Sequence, residues 1–374
     1  MTKADKEGQR KAPILRFKGF TDAWEQRKLG EIGKIRSCKR IYRNQTSSKG
    51  EIPFYKIGTF GKEADSFISR KLYEEYKERF SFPQVGDILI SASGTLGRTV
   101  VYNGENAYFQ DSNIVWIDND NHLALNKYLE IYYQRIHWKA SEGSTIKRLY
   151  NSDIERTIIS IPKRDEQARL SKCLKLLNKV ITLYERKYRQ LQTLKSGLLQ
   201  NIFNNFNSGN TVRLNQICVL KQWKTISSQK MKKKGYPVFG ANGIIGYYDK
   251  YNHEKPTICI TCRGATSGNI LISKPYSYIT GNAMCLENLS SDFNIKFLYE
   301  YLSYRGLKDV ITGSAQPQIT SSLLGIVKIP IVPLKKQKSI SNVLLSLDSI
   351  INNIQMKSSY LKKIKETLLN TMFI

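Results

Sequence analysis

Cys259 and Cys262 have the CxxC spacing of a zinc-ligand pair, and they are the first residues that could do chemistry. No second cysteine pair follows at zinc-finger spacing, and the surrounding segment PTICITC alternates like a β-strand. We therefore interpret the two cysteines as small side chains that a strand buries. Three histidines, at positions 122, 137 and 253, leave little material for a histidine-based metal or acid–base site, so we expect no metal ion.

The sequence lacks the motifs that would bind a nucleotide or a cofactor. It contains no GxxxxGK(S/T) phosphate loop, no glycine-rich dinucleotide fingerprint and no NPP(Y/F) tetrapeptide of adenine methyltransferases. The glycine-rich stretch 94–99 lacks the phosphate-loop spacing, and a turn beside a strand explains it. Asp87, Asp111 and Asp153 form no convincing nuclease triad. We expect no catalytic residue, no cofactor and no enzymatic activity of the chain itself.

Basic residues outnumber acidic residues almost two to one. Lys plus Arg total 59 against 31 Asp plus Glu, which gives a net charge of +28. Such an excess indicates a polyanionic partner, with nucleic acid the first candidate and an anionic membrane surface the second. Candidate base readers are long polar or basic side chains in loops, close to aromatic residues that can pack on sugars or bases.

Both halves of the chain contain such candidates. In the first half, the predicted DNA contacts are Lys39, Arg40, Tyr42, Arg43, Asn44, Arg98, Asn113, Lys147 and Arg148. In the second half, they are Trp223, Lys224, Lys230, Lys232, Lys233, Asn242, Arg263, Asn282, Gln316 and Gln318. A single residue of this kind is more often a solvated surface group, so the prediction rests on the set as a whole.

Two long segments must position these loops, and both have the spacing of coiled-coil helices. Apolar residues alternate at intervals of 4 and 3 over more than four heptads in 165–204 and in 335–374. A helix that lies on its own domain would show a broader stripe near period 3.6, and this is the alternative. The predicted seam, meaning the buried line along which the helices meet, contains Leu170, Leu174, Leu177, Ile181, Leu191 and Leu198, then Ile340, Leu344, Leu347, Ile351, Leu361 and Leu368.

The two helical segments are copies of each other. At a constant offset of 170 residues they share 11 identities in 40 positions without a gap, including Gln167/Gln337 and Phe203/Phe373. The resemblance between copies extends upstream to the stretches 88–97 and 257–268. Strands are predicted at 88–92, 113–117, 157–161, 257–261 and 325–331.

The duplication predicts an α+β chain with an internal pseudo-twofold repeat. Two mixed α/β globular domains would be joined and spaced by two long helices, which would form an antiparallel coiled coil. The predicted boundaries are an N-terminal extension at 1–23, a first domain at 24–162, a central helix at 163–206, a second domain at 207–333 and a last helix at 334–374.

The first residues and the hydropathy pattern indicate where the protein works. The opening, MTKADKEGQRK, is charged and has no apolar core, which argues against a secretory signal. No run approaches 18 apolar residues, so no segment is expected to span a bilayer. Six cysteines are ordinary usage for a reducing compartment. We expect a cytoplasmic protein with no membrane partner.

Three motifs carry a family resemblance. The chain opens with Pro13-x-Leu15-Arg16-Phe17-x-Gly19-Phe20-Thr21-x-x-Trp24-Glu25-x-x-Lys28-Leu29-Gly30-Glu31. An SxxGTxG-like element occupies Ser91–Gly97, and an Ile-Pro pair followed by a glutamine precedes each long helix, at Ile161-Pro162 with Gln167 and at Ile329-Pro330 with Gln337. Together they resemble the specificity subunits of type I restriction–modification enzymes. The second copy departs from the pattern at 263–268 and at Pro333, which prevents residue-by-residue transfer of base contacts.

The resemblance implies a non-catalytic subunit that reads double-stranded DNA. Each recognition domain would read one half of a bipartite target, and the subunit would assemble with two methyltransferase subunits and two restriction subunits. Two alternatives remain: a non-specific nucleic-acid-binding coiled-coil scaffold, and an enzyme with an unfamiliar active site.

Overall fold

The protein is described by a computed structural model that covers residues 12–138, 148–206, 209–313 and 316–374. The chain divides into two compact units. The first unit comprises the chain up to Leu183 together with Lys357–Ile374, and the second comprises Tyr184–Met356. The central helix, Arg164–Asn204, and the last helix, Leu334–Thr371, therefore each contribute to both units.

Both long helices begin one residue before the segments that the heptad pattern predicts. Asp165 and Glu166 lie in the first turn of the central helix, where negative charge stabilises the helix dipole. Among the described residues, no helix combines the length and the apolar character needed to cross a membrane. The shorter α-helices are Arg70–Arg79, Asn126–Tyr132, Asn151–Arg156, Leu214–Ile217, Ile295–Arg305 and Ser321–Gly325, and the 3-10 helices are Leu29–Glu31, Arg43–Gln45, Ser228–Lys230 and Lys308–Val310.

The strands are short, and the five predicted ones correspond to β5, β8, β9, β14 and β18. The first unit contains β1 (Glu25–Lys28), β2 (Gly33–Arg36), β3 (Ile52–Tyr55), β4 (Phe67–Ile68), β5 (Ile88–Ser91), β6 (Thr99–Val101), β7 (Tyr108–Phe109), β8 (Ile114–Asn119) and β9 (Ile158–Ile161). The second contains β10 (Thr211–Arg213), β11 (Val219–Gln222), β12 (Tyr236–Gly240), β13 (Gly243–Tyr248), β14 (Ile258–Thr261), β15 (Ile270–Ile272), β16 (Tyr278–Ile279), β17 (Ala283–Glu287) and β18 (Lys328–Pro330).

Both units have the same sheet topology, which confirms the internal repeat. The four-stranded sheets have the order β2-β8-β5-β6 and β11-β17-β14-β15. The three-stranded sheets have the order β4-β3-β7 and β13-β12-β16, and the strand pairs are β1-β9 and β10-β18. In each unit the strand pair joins the start of the globular part to the segment that leads into a long helix.

A buried glutamine fixes the entry to each long helix. Gln167 Oε1 accepts a hydrogen bond from the backbone N–H of Leu125, and its Nε2 donates to the carbonyl oxygens of Leu123 and Pro162 at 2.9 Å. Gln337 Oε1 accepts from the N–H of Asn294, and its Nε2 donates to two carbonyl oxygens at 2.7 and 2.9 Å. Buried backbone N–H and C=O groups must find hydrogen-bond partners. This requirement explains why both copies of the repeat have a glutamine at this position.

The paired phenylalanines of the repeat also have equivalent roles. Phe373 stacks on Tyr128 in the first unit, with ring centroids 5.8 Å apart, and Trp24 packs edge-on against it. Phe203 packs against Phe297 in the second unit, at 5.7 Å. Each aromatic ring therefore anchors the end of a long helix on a globular core.

The two helices run antiparallel, as predicted. In the first unit, Leu170 and Leu174 belong to one buried cluster with Met372, and in the second unit Lys195 Nζ lies 2.7 Å from Asp348 Oδ1. Every predicted seam residue of both helices is buried or half-buried, whereas Leu176 lies on the outer face and is 55% exposed.

Candidate nucleic-acid interface

In the first unit, three loops meet at one edge of the four-stranded sheet. β2 and β5 both run antiparallel to β8, with Arg36 paired to Trp116 and Ser91 paired to Ile114. The loops that follow β2 and β5 therefore lie beside the loop that precedes β8. A backbone bridge between Ser93 and Arg148 adds a fourth segment. We call residues 37–45, 92–98, 110–113 and 148–150 the first loop edge.

Side-chain hydrogen bonds join these segments to one another. Arg40 Nε donates to Asp111 Oδ2 at 2.9 Å, and Ser93 Oγ donates to Asn113 Oδ1 at 2.9 Å. Arg148 Nη2 donates to the carbonyl oxygen of the residue before Asn113, at 3.0 Å. Three of the predicted DNA contacts, far apart in sequence, thus lie together at the first loop edge.

The segment 37–45 presents most of the remaining candidates of the first unit. Cys38 and Ile41 are buried in the core and hold the segment on the domain. The residues between and after these two anchors point outward, and the Tyr42 side chain is 60% exposed. The exposed candidates are Lys39, Arg40, Tyr42, Arg43 and Asn44.

Arg98 has a structural role at this edge. Its side chain is half-buried and donates to the carbonyl oxygen of Phe60 at 3.0 Å. Its backbone N–H donates to Ser91 Oγ, and the preceding Gly97 has a φ of +72°, which glycine adopts without strain. Arg98 therefore braces the glycine turn. Lys147, another predicted contact, lies outside the described residues.

The second unit contains an equivalent edge. β11 and β14 run antiparallel to β17, with Gln222 paired to Met284 and Thr261 paired to Ala283. A backbone bridge between Arg263 and Gln318 adds a further segment. We call residues 223–225, 262–269, 280–282 and 316–319 the second loop edge.

The two loop edges share one backbone scaffold. The Arg263–Gln318 bridge lies 170 residues after the Ser93–Arg148 bridge at both positions. The N–H of Leu149 donates to the carbonyl oxygen of Ala92 at 2.8 Å, and the equivalent bond from Ile319 in the second unit measures 2.9 Å. The side chains differ, since Ser93 and Arg148 of the first unit correspond to Arg263 and Gln318 of the second.

The second loop edge is polar and concave. A cavity of about 370 Å³ is lined by Lys221, Gln222, Arg263 and Gln318 together with neighbouring residues. The exposed predicted contacts at this edge are Lys224, Arg263, Asn282, Gln316 and Gln318. Asn242 is exposed in the β12–β13 turn, and its Oδ1 accepts from Asn269 at 3.5 Å, so it lies beside the same edge.

The other four predicted contacts of the second unit are either half-buried or lie outside the second loop edge. Trp223 is half-buried, and its indole N–H donates to Glu287 Oε1 at 2.8 Å. Three lysines lie before β12, toward the end of the β12–β13 hairpin opposite its turn, where Lys232 Nζ pairs with Asp249 at 3.2 Å. These exposed lysines are Lys230, Lys232 and Lys233.

The model of the type I restriction modification DNA specificity domain matches residues 21–193 and again residues 209–363. The chain belongs to this family. The two matches fall on the two copies of the repeat, so each copy is one specificity domain and each loop edge belongs to one of them.

Solved structures and curated relatives agree with this assignment. The specificity subunit of a type I restriction–modification system from Mycoplasma genitalium has a TM-score of 0.68 at 19% identity, covering 97% of this chain and 99% of that one. A specificity subunit of Haemophilus influenzae is 58% identical over 155 residues, 41% of this chain. The chain spans about two fifths (40%) of the length of that relative. A Methanocaldococcus jannaschii specificity subunit is 20% identical over 93% of this chain and 92% of its own length.

An ion pair holds Arg40 at the first loop edge. The hydrogen bond to Asp111 raises the pKa of Arg40, so this guanidinium is a permanent cation held beside a carboxylate. The Arg40 side chain is 60% exposed, so it remains accessible from solvent although it is paired with Asp111.

The second specificity domain contains a cluster that the sequence did not predict. His253, Cys285 and Glu287 bring one ligand atom each to within 4.8 Å of one another. Burial and a hydrogen bond with Cys259 raise the pKa of the Cys285 thiol, the hydrogen bond having the larger effect. Cys259 and Cys262 are both buried, as predicted. The neighbour of Cys259 in the sheet is Cys285 on the adjacent strand β17, and not Cys262. No spacing motif signals such a cluster, because its members come from separate elements.

Proposed function

We propose that this chain is the DNA-recognition subunit of a type I restriction–modification complex. Each specificity domain reads one half of a bipartite double-stranded target through its loop edge. The reading domains are 24–162 and 207–333, the helices 163–206 and 334–374 join them, and 1–23 is an extension.

One observation carries this proposal: the two loop edges combine the same backbone scaffold with different side chains. The bridge pair is Ser93 with Arg148 in one domain and Arg263 with Gln318 in the other. Bases are distinguished by the donor and acceptor patterns of side chains, whereas a shared scaffold only positions those side chains. Two such edges are suited to reading two different sequences.

The charge of the chain supports DNA as the ligand. A net charge of +28 supplies the phosphate contacts that dominate affinity and make it depend on salt. The exposed arginines and glutamines of the loop edges form the bidentate hydrogen bonds that read guanine and adenine in the major groove.

We also propose that the chain docks two methyltransferase and two restriction subunits, which supply the chemistry. A solved structure concerned with complex assembly and conformational transition of the type I system supports the shared fold, with a TM-score of 0.54 over 95% of this chain at 16% identity. A groove of about 940 Å³ in the first unit offers a docking surface, because Leu176, Lys172 and Lys175 line it on the central helix. Leu176, Val180 and Leu183 form an exposed apolar stripe beside it.

Reconstitution tests the proposed function. The purified chain alone should neither methylate nor cut DNA in the presence of S-adenosylmethionine or Mg²⁺. With its methyltransferase partner, it should direct methylation to a split consensus that contains an unread spacer. Sequencing of the methylated bases reads this directly. Methylation by the chain alone would identify an enzyme, and DNA binding without any consensus would identify a non-specific scaffold.

A further inference from the structure

The His253–Cys285–Glu287 cluster lies on one face of the four-stranded sheet in the second specificity domain. Cys285 and Glu287 are alternate residues of β17, so their side chains point to the same face. Cys259 is the direct cross-strand partner of Cys285 on β14 and shares that face. His253 comes from the loop between β13 and β14, and it is only 6% exposed.

The histidine is held in one orientation. Asn252 Nδ2 donates to the carbonyl oxygen of Ile279, and Asn252 Oδ1 accepts from the N–H of the same residue at 2.8 Å. The amide oxygen is therefore fixed, and it lies 2.7 Å from His253 Nδ1. The proton of the imidazole must sit on Nδ1, which leaves Nε2 with a lone pair. Metal-binding histidines in proteins are oriented in this way, by a hydrogen bond from the other ring nitrogen to an oxygen.

The lone pair of Nε2 faces an oxygen that is itself an acceptor. His253 Nε2 lies 2.7 Å from Glu287 Oε1, and the same oxygen already accepts the indole N–H of Trp223 at 2.8 Å. Two acceptor atoms this close need a cation between them, either a further proton or a metal ion. The thiol of Cys285, within 4.8 Å of both atoms, favours a metal ion, since sulfur, imidazole and carboxylate are all ligands of zinc.

We propose that His253 Nε2, Glu287 Oε1 and Cys285 Sγ bind one Zn²⁺ ion in the second specificity domain. In a tetrahedral site, with Zn–S near 2.3 Å and Zn–N or Zn–O near 2.0 Å, ligand atoms lie about 3.5 Å apart. The three clustered atoms, all within 4.8 Å of one another, reach this geometry through small side-chain movements. The ion ties the loop that carries His253 to the sheet beneath the second loop edge, and it holds Trp223 through Glu287.

The first specificity domain provides an internal comparison. Leu89 pairs with Trp116 in β5 and β8, as Cys259 pairs with Cys285 in β14 and β17. Both Leu89 and Trp116 are buried apolar residues. Among the described residues, the first domain therefore has no equivalent of this site, and we expect a stoichiometry of one ion per chain.

Titration of the full-length chain with Co²⁺ tests this proposal. The chain is prepared with chelator and reductant, and Co²⁺ then serves as a spectroscopic probe for the zinc site. We expect thiolate-to-cobalt charge-transfer absorption that saturates at one equivalent per chain and disappears when Zn²⁺ is added. Cys285→Ser and His253→Gln should remove this absorption. Asn252→Ala should weaken metal binding about 10- to 100-fold, because it removes the hydrogen bond that orients His253.

Cys218→Ser and Cys262→Ser are the matched controls, since both remove a buried cysteine of the same domain outside the site. Both controls should keep the absorption at one equivalent per chain. The proposal is overturned if the wild-type chain shows no charge-transfer absorption, a result that does not depend on any variant folding. It is also overturned if Cys285→Ser retains the absorption, or if mass spectrometry finds a Cys259–Cys285 disulfide in the chain prepared under reductant.

Discussion

Lys195 reaches out of the helical seam and places its ammonium nitrogen 2.7 Å from Asp348 Oδ1. A second carboxylate, that of Glu300, lies 3.3 Å from the same nitrogen. Burial alone would lower the pKa of Lys195, but the hydrogen bond to Asp348 and the charge of Glu300 outweigh it, and the pKa is raised. Lys365 occupies the same position in the repeat, where burial lowers its pKa and its nitrogen contacts the amide oxygen of Gln134.

Replacing these two lysines should have unequal effects. Lys195→Met leaves two carboxylates close together without their shared cation, and we expect it to lower the free energy of unfolding by about 1–3 kcal/mol, discounted for partial exposure. Lys365→Met removes an amide contact and relieves a buried charge, so its effect should stay below about 1 kcal/mol. Urea denaturation measures both. An equal decrease in the free energy of unfolding for both variants would contradict a stabilising interaction between Lys195 and its two carboxylates.

The seam should be far more sensitive than the outer face of the same helix. Leu174 is fully buried, whereas Leu176, two residues later, is 55% exposed. Leu174→Ala should lower the free energy of unfolding by about 2–5 kcal/mol, since it removes buried methyl groups and leaves a cavity. Leu176→Ala should change it by about 0.5 kcal/mol or less. Thermal and urea unfolding of the two variants decide this, and similar losses would argue against the seam.

The two helix-entry glutamines should be equally important. Gln167→Leu leaves a buried backbone N–H and two buried carbonyl oxygens without their partner, which costs about 1–3 kcal/mol for each group left unsatisfied. Gln337→Leu removes the equivalent bonds and should destabilise the chain to a similar extent. Gln190→Leu, on the exposed face of the central helix, is the control and should be nearly neutral. A neutral result at Gln167 would contradict the role described for it.

Residues inside and outside a loop edge should affect DNA binding differently. If Arg263 reads bases as proposed, Arg263→Ala should cost about 1–3 kcal/mol of affinity and relax the sequence preference in one half of the target only. Lys233→Ala, outside the edge, should weaken binding to all sequences alike and reduce the salt dependence by about one phosphate contact. Selection of bound sequences at two salt concentrations separates the two outcomes. A preference relaxed in both halves by Arg263→Ala would oppose the assignment of one domain to each half.

The long helices could be predicted to within one residue at their starts because a heptad repeat is a local pattern. Five of the eighteen strands in the described residues were also predicted, where apolar runs are bounded by turn residues; the other thirteen are too short or too polar to give such a run. The roles of Arg98 and Trp223 were not predictable, because the partners that hold them, Phe60 and Glu287, are distant in sequence. The cluster of His253 with Glu287 was hidden for the same reason, since 34 residues separate the two.

Exchange of one specificity domain tests the central claim most directly. Residues 24–162 are replaced by the corresponding domain of another family member with a known target, and the methylated sites of the host are sequenced. We predict that one half of the bipartite target changes to that of the donor, while the half read by 207–333 stays as it was. A target altered in both halves, or in neither, would contradict the claim that each domain reads its own half.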